Sequence, residues 1–306
     1  MAKKILTIGQ FPPNSNHLDI VWNITDFCNY KCPYCFVKQQ NNFVDDKVIE
    51  DTVSLIRKLT KQYNKKIDIT LFGGEPTLHK KIDFIIDELL CVCSSVNILT
   101  NLSLNESKYI NWNKKGVHIY ASYHPDMISS NLFIDKCKKI LQSNCVISNI
   151  NIMLYNKNET DIDMVKEFCR ENNISHLLHP ISTIDFYKNL LKSIKYANFI
   201  GLKYPITQVV FEDYTNIITS SFECELYNYN NFKGYTCYVG ECGFNIDING
   251  VISKCEDNHL SINSNIEDIL SPMLCTSNRC DWSKSLTTPK EISQGFADKL
   301  LKNLIE

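Results

Sequence analysis

Apolar positions in the first two thirds of the chain follow two alternating rhythms. Short runs rich in β-branched residues predict strands at Ile20–Ile24, Ile67–Phe72, Val96–Thr100, Val117–Ser122, Ile147–Leu154 and Leu177–Ile181. Between them, apolar residues fall three and four apart. Val48, Ile49, Val53, Ile56 and Leu59 make one helical face, and Leu78, Ile82, Ile85, Ile86 and Leu89 a second. Phe133, Cys137, Ile140 and Leu141 make a third, and Ile162, Val165, Phe168 and Cys169 a fourth. Repeated strand-then-helix order predicts an α/β fold of parallel strands with right-handed crossovers. No internal repeat or low-complexity linker interrupts it.

The rhythm changes near residue 200. Tyr204–Phe211 predicts one more strand. Phe244–Ser253 predicts a β-hairpin, with Asn249-Gly250 as its two-residue turn and Cys242 and Cys255 meeting at its open end. The expected division is residues 1–200 and residues 201–306.

Composition narrows the classes. The chain has 306 residues, of which 44% are hydrophobic, an ordinary fraction for a globular core. A net charge of −2 without a basic stripe argues against a nucleic-acid partner. No run is long enough for a membrane-spanning helix, and the first residues lack a secretory pattern. Fourteen cysteines in such a chain point to a reducing, cytoplasmic setting and to metal ligation rather than disulfides.

The informative cysteines are in the run Cys28-Asn-Tyr-Lys-Cys32-Pro-Tyr-Cys35. Thiolates so spaced can hold one face of a [4Fe-4S] cluster and leave one iron open. A structural zinc site or three core cysteines are the alternatives. Zinc needs a fourth ligand, and none lies close in sequence. Packing gives no reason for the spacing.

This run resembles the signature of the radical S-adenosylmethionine superfamily, Cys-x3-Cys-x-aromatic-Cys. Tyr34 fills the aromatic place, which in that family packs on the adenine. The resemblance implies that the open iron binds the amino and carboxylate groups of S-adenosylmethionine. One electron then releases a 5′-deoxyadenosyl radical, which takes a hydrogen atom from substrate. A flavodoxin- or ferredoxin-type donor would supply that electron. The run Gly73-Gly74-Glu75-Pro76, after the predicted second strand, resembles the family element whose carbonyls and Glu side chain hold the methionine ammonium. The implied fold is a partial (β/α)6 barrel, with chemistry at the C-terminal strand ends. Asn101 and Ser122 stand at such ends as candidate cofactor contacts, with ordinary turn capping as the alternative. His124 is a candidate to face the substrate. His179 reads as a structural histidine.

Cys237, Cys242, Cys255, Cys275 and Cys280 crowd the last quarter. The spacing Cys237…Gly250-x4-Cys255 resembles the start of the auxiliary-cluster domains called twitch and SPASM. This implies a small C-terminal cysteine-rich β-hairpin/α domain with a second [4Fe-4S] cluster on four of the five thiolates. Zinc is the alternative. Cys275-x4-Cys280 departs from the usual pair, so the four ligands stay open. Cys137 and Cys169 read as core. Cys224, between the two regions, is either core or a thiol that returns a hydrogen atom to a substrate radical.

The expected function is oxidation or epimerisation of a small molecule such as an alcohol or sugar. Few residues precede the first predicted strand, too few for the leader-binding domain of many peptide-modifying enzymes. Modification of a ribosomal peptide or protein is the nearest alternative. A non-enzymatic iron–sulfur or zinc protein is a further one, disfavoured by Gly73–Pro76. RNA modification is disfavoured by charge.

Overall fold

The computed structural model describes residues 4–9, 16–154, 159–180, 206–220, 224, 229–255, 258–278, 280 and 288–293. In chain order the first elements are β1 (Ile5–Ile8), β2 (His17–Thr25), α1 (Asp46–Gln62), β3 (Lys66–Gly73), α2 (Ile82–Leu90) and β4 (Ser95–Thr100). They continue with α3 (Glu106–Lys114), β5 (Val117–Tyr123), α4 (Ser130–Leu141), β6 (Ile147–Leu154), α5 (Glu159–Glu171) and β7 (His176–Pro180). Packing divides the chain into two units, one from Val21–Val53 and Asp68–Lys203, the other from Met1–Ile20, Ser54–Ile67 and Tyr204–Glu306. The expected division keeps residues 1–200 together, whereas packing groups Met1–Ile20 and Ser54–Ile67 with Tyr204–Glu306.

The first unit is an α/β assembly in which β2 to β7 are neighbours in chain order. The pairs from β3 to β7 are parallel. Leu71, Ile98, Ile119 and Ile147 oppose one another in one row across four strands, and all are buried. Each such side chain contributes about 1.5–3 kcal/mol through burial. The helices cover the sheet with the predicted faces, such as Ile82, Ile85, Ile86 and Leu89 of α2. Leu78 does not join that face, because it ends a separate 3₁₀ turn, Pro76–Leu78. Helix α3 has a weak apolar signal, with only Tyr109 and Trp112 buried. Local polar bonds define it instead: Asn105 Oδ1 accepts from Ser107 N, and Trp112 Nε1 donates to Asp83 at 2.7 Å. Parallel strands bring the ends at Gly73, Thr100 and Tyr123 to one edge of this sheet.

The second unit contains β8 (Ile206–Phe211), β9 (Asn216–Ser220), β10 (Thr236–Cys237), β11 (Gly243–Ile246), β12 (Val251–Cys255), β13 (Asn258–Ser261), β14 (Met273–Leu274) and β15 (Lys290–Glu291). One sheet runs β14-β10-β15-β1-β8-β9, with antiparallel pairs. The predicted hairpin is β11–β12, but its turn is not the two-residue Asn249-Gly250. Asp247 and Val251 close a loop of Ile248, Asn249 and Gly250, with Gly250 N bonded to Asp247 O at 3.1 Å. Asp247 Oδ1 accepts from Asn249 N and Val251 N. Gly250 alone takes the left-handed conformation, with φ +75°, which marks a type I turn followed by a glycine bulge. Asp247 supplies the side chain that makes this longer turn the better one.

Candidate active site

The cysteine run occupies a loop that starts as β2 ends. Asp26 closes the loop by accepting from Asn42 N and Asn42 Nδ2, each at 2.8 Å. Thr25 Oγ1 donates to Asn42 O at 2.7 Å. Inside the loop, Gln39 bridges Lys31 Nζ and the Tyr30 carbonyl, both at 2.7 Å. The loop is therefore fixed by its own polar groups, and its cysteines grade outward: Cys28 buried, Cys32 half-buried, Cys35 exposed.

Gly73 and Gly74 let β3 end against that loop. Gly74 N donates to Thr25 O and Glu75 N to Phe27 O, both at 2.7 Å. A Cβ on Gly73 would stand 2.0 Å from Thr25 O, and one on Gly74 2.2 Å from Phe27 O. Gly73 also has φ +139°. The glycines thus serve backbone-to-backbone packing at the start of the cysteine loop.

Glu75 is 1% exposed. Its Oε1 accepts from Thr77 Oγ1 at 2.6 Å, Thr77 N at 3.2 Å and Thr100 Oγ1 at 2.8 Å. Its Oε2 accepts from Asn101 N at 2.7 Å. Burial pushes the carboxyl up from its ordinary range, and the bonds from Asn101, Thr77 and Thr100 pull the other way. The Glu expected at a methionine ammonium therefore also clamps the end of β3 to the end of β4.

Asn101 carries the clamp on to the cysteines. Its Nδ2 donates to Asn29 Oδ1 at 3.0 Å and lies 3.9 Å from Cys28 Sγ. Ser122 is buried at the end of β5. Just after it, His124 turns to the loop: Nδ1 lies 2.9 Å from Tyr34 Oη and 3.6 Å from Cys32 Sγ, and the two rings stack at 6.0 Å. Burial lowers the His124 pKa to about 4. Pairing and spacing in the sequence could not disclose the Tyr34–His124 contact, since it joins residues 90 apart. Pro76 opens the 3₁₀ turn that carries Thr77 to Glu75. His179, near the end of β7, bonds Asn151 Oδ1 at 3.1 Å.

The donor set fits a cluster with three protein ligands. Cys28, Cys32 and Cys35 share one loop, in which Cys35 N donates to Cys32 O at 3.1 Å. Burial raises the Cys28 thiol and takes Cys32 up to about 11, so loading releases protons.

The later cysteines lie in the second unit. Cys237 faces Met273 across β10–β14, and Met273 Sδ lies 4.0 Å from Cys255 Sγ. Cys237 acts electrostatically on Cys242 and Cys275, and Cys255 on Cys275. Cys280 N bonds Asn230 O at 2.8 Å, and its side chain packs on the core of Phe232 and Tyr235. Cys224 is fully buried in that core with Ile5, Ile8 and Phe211, a position that suits packing. Cys137 and Cys169 are buried, as expected. No disulfide occurs among the described residues, and no described helix is long and apolar enough to cross a membrane.

Residues 22–203 match the family model of the radical SAM superfamily. The 7-carboxy-7-deazaguanine synthase of Aquifex aeolicus is 38% identical over 95 residues, 31% of this chain and 41% of that protein. The S-adenosylmethionine-dependent nucleotide dehydratase RSAD2 of Danio rerio is 27% identical over 204 residues, 64% of this chain and 51% of that protein. The chain thus spans about half or less of the length of these relatives. The structure of Streptococcus suis SuiB bound to its precursor peptide SuiA is similar in fold, with a TM-score of 0.56 and 16% identity, over 84% of this chain and 65% of that one.

Proposed function

Because the chain belongs to the radical SAM superfamily, whose members use a [4Fe-4S] cluster and S-adenosylmethionine, we propose that Cys28, Cys32 and Cys35 hold that cluster. When bound and given one electron, the pair supplies a 5′-deoxyadenosyl radical able to take a hydrogen atom from substrate. The observation that carries the assignment is the clamp from Glu75 through Asn101 to Cys28 at the C-terminal strand ends. Gly73, Gly74, Glu75 and Pro76 border the methionine end of the cofactor, Tyr34 its adenine, and Asn101 and Ser122 its polar groups. A flavodoxin- or ferredoxin-type protein is the donor.

The substrate we favour is a small molecule such as an alcohol or sugar, oxidised or epimerised. Support comes from the relatives, named for a deazaguanine and for nucleotides. The second reading is a peptide, favoured by likeness in fold to an enzyme bound to a precursor peptide. We further propose a second [4Fe-4S] cluster on four of Cys237, Cys242, Cys255, Cys275 and Cys280. Met273, which opposes Cys237 and touches Cys255, and the shared core under Cys275 and Cys280 support it.

The test is isotopic. The reduced, reconstituted protein is given S-adenosylmethionine with deuterated alcohols and sugars, or with deuterated peptides. Deuterium in 5′-deoxyadenosine from the first group supports the small-molecule reading. Deuterium only from peptides replaces it with the second.

A further inference from the structure

His124, expected to face a substrate, is instead held by the cysteine loop. The Tyr34 ring stacks on it at 6.0 Å with 12° between the planes, and the Tyr30 ring meets it edge-on at 5.9 Å. The backbone after β5 is fixed as well, because His124 O accepts from Met127 N at 2.9 Å and Ile128 N at 3.2 Å. Met127 Sδ in turn lies 3.4 Å from Lys31 N, in the same cysteine loop. Turn and loop together orient one ring nitrogen.

That nitrogen, Nδ1, lies 2.9 Å from Tyr34 Oη and 3.6 Å from Cys32 Sγ. The Tyr34 hydroxyl also hydrogen-bonds the Cys32 sulfur. A neutral imidazole carries one N–H, on either nitrogen, and a tyrosine carries one O–H. A sulfur that ligates iron is a thiolate and only accepts. The order that uses both Tyr34 contacts is then Nδ1–H to Oη and Oη–H to Sγ. The opposite order turns Oη–H toward Nδ1 and leaves the thiolate facing lone pairs. Accepting a bond at its oxygen also makes the tyrosine hydroxyl a stronger donor.

We propose that His124 is a positioning residue that aims the Tyr34 hydroxyl at the Cys32 thiolate, and that this relay raises the reduction potential of the cluster. The inference rests on the assignment of Cys28, Cys32 and Cys35 as the ligands. Reduction adds one electron, and part of that charge falls on the ligating sulfurs. A hydrogen bond to sulfur therefore stabilises the reduced form more than the oxidised one. Neither side chain is a ligand. The consequence is a cluster that a protein electron donor reduces more readily.

The test uses the full chain, reconstituted anaerobically without S-adenosylmethionine. The electron paramagnetic resonance signal followed is the one that the Cys28→Ala, Cys32→Ala, Cys35→Ala triple variant lacks. Its midpoint potential is measured together with iron content in Tyr34→Phe, His124→Leu, His124→Asn and the pair Tyr34→Phe with His124→Leu. Phenylalanine keeps the ring and removes the hydroxyl. Asparagine can place a donor near the position of Nδ1. The expected result is a lower potential in Tyr34→Phe and in His124→Leu, a potential near the parent's in His124→Asn, and no further fall in the pair, all at unchanged iron. An unchanged or higher potential in Tyr34→Phe or His124→Leu overturns the proposal. Additive falls in the pair also overturn it, since the histidine would then act on the sulfur without the tyrosine. Loss of iron in both His124 variants would mark a packing role and overturn it too. A parent with no signal beyond that of the triple variant defeats the ligand assignment itself, and the relay with it.

Discussion

The Oε2 of Glu75 accepts the backbone N–H of Asn101 at 2.7 Å. This bond ties the end of β3 to the end of β4 at the point where Asn101 reaches Asn29 and Cys28. A residue expected to meet a cofactor is thus also a structural member of its own site.

Glu75→Ala should therefore unfold more easily even before any cofactor is added. It orphans the Asn101 and Thr77 N–H groups and leaves the Thr100 hydroxyl only the longer contact to Tyr109 Oη at 3.3 Å, and each buried orphan costs about 1–3 kcal/mol. The expected loss is about 3–5 kcal/mol in denaturant titration. Glu75→Gln, which keeps the shape and one acceptor, should lose less. Equal stability of Glu75→Ala and the parent would contradict the clamp.

Gly74→Ala and Gly116→Ala should separate two kinds of glycine. Gly116 has φ +101° but open space around it, so alanine there costs only backbone strain, about 1–2 kcal/mol. A Cβ on Gly74 would stand 2.2 Å from the Phe27 carbonyl, at the root of the cysteine loop. Iron loading should fall sharply in Gly74→Ala and stay near the parent's in Gly116→Ala.

His79 gives a pH dependence. It is buried, with Nε2 3.2 Å from Val44 O and Nδ1 accepting from Lys81 N at 3.1 Å. The neutral ring satisfies both neighbours, and a second ring proton would face the Lys81 N–H. Burial lowers its pKa below the ordinary 6.5. The unfolded chain then binds the extra proton first as pH falls, so the His79 contribution is full above about 6.5 and is lost as pH drops toward the lowered value. His79→Gln should flatten the acid limb of stability against pH, measured by denaturant titration from pH 7 to 5. An unchanged slope would contradict the assignment.

The sequence disclosed what repeats or stands at fixed short spacing. The strands β2 to β7, the faces of α2 and α4 and the cysteine run are all local patterns, and all are legible. Helix α3 is not, because its polar face is held by Asp83 and a cap rather than by an apolar stripe. Strands β1 and β15 are four and two residues long and exist through pairing with each other. The hairpin was legible, but not its turn, which Asp247 decides. At the site, the residue types were legible and their partners were not. Thr100 and His124 gain meaning only from contacts that the fold creates.

The most direct measurement is iron content together with S-adenosylmethionine cleavage in the parent chain and in the Cys28→Ala, Cys32→Ala, Cys35→Ala triple variant, both reconstituted anaerobically and reduced. The expected result is 5′-deoxyadenosine from the parent alone, and about four fewer irons per chain in the variant. Unchanged iron in the variant, or 5′-deoxyadenosine formed equally by both, would contradict the assignment of the cluster to these three cysteines.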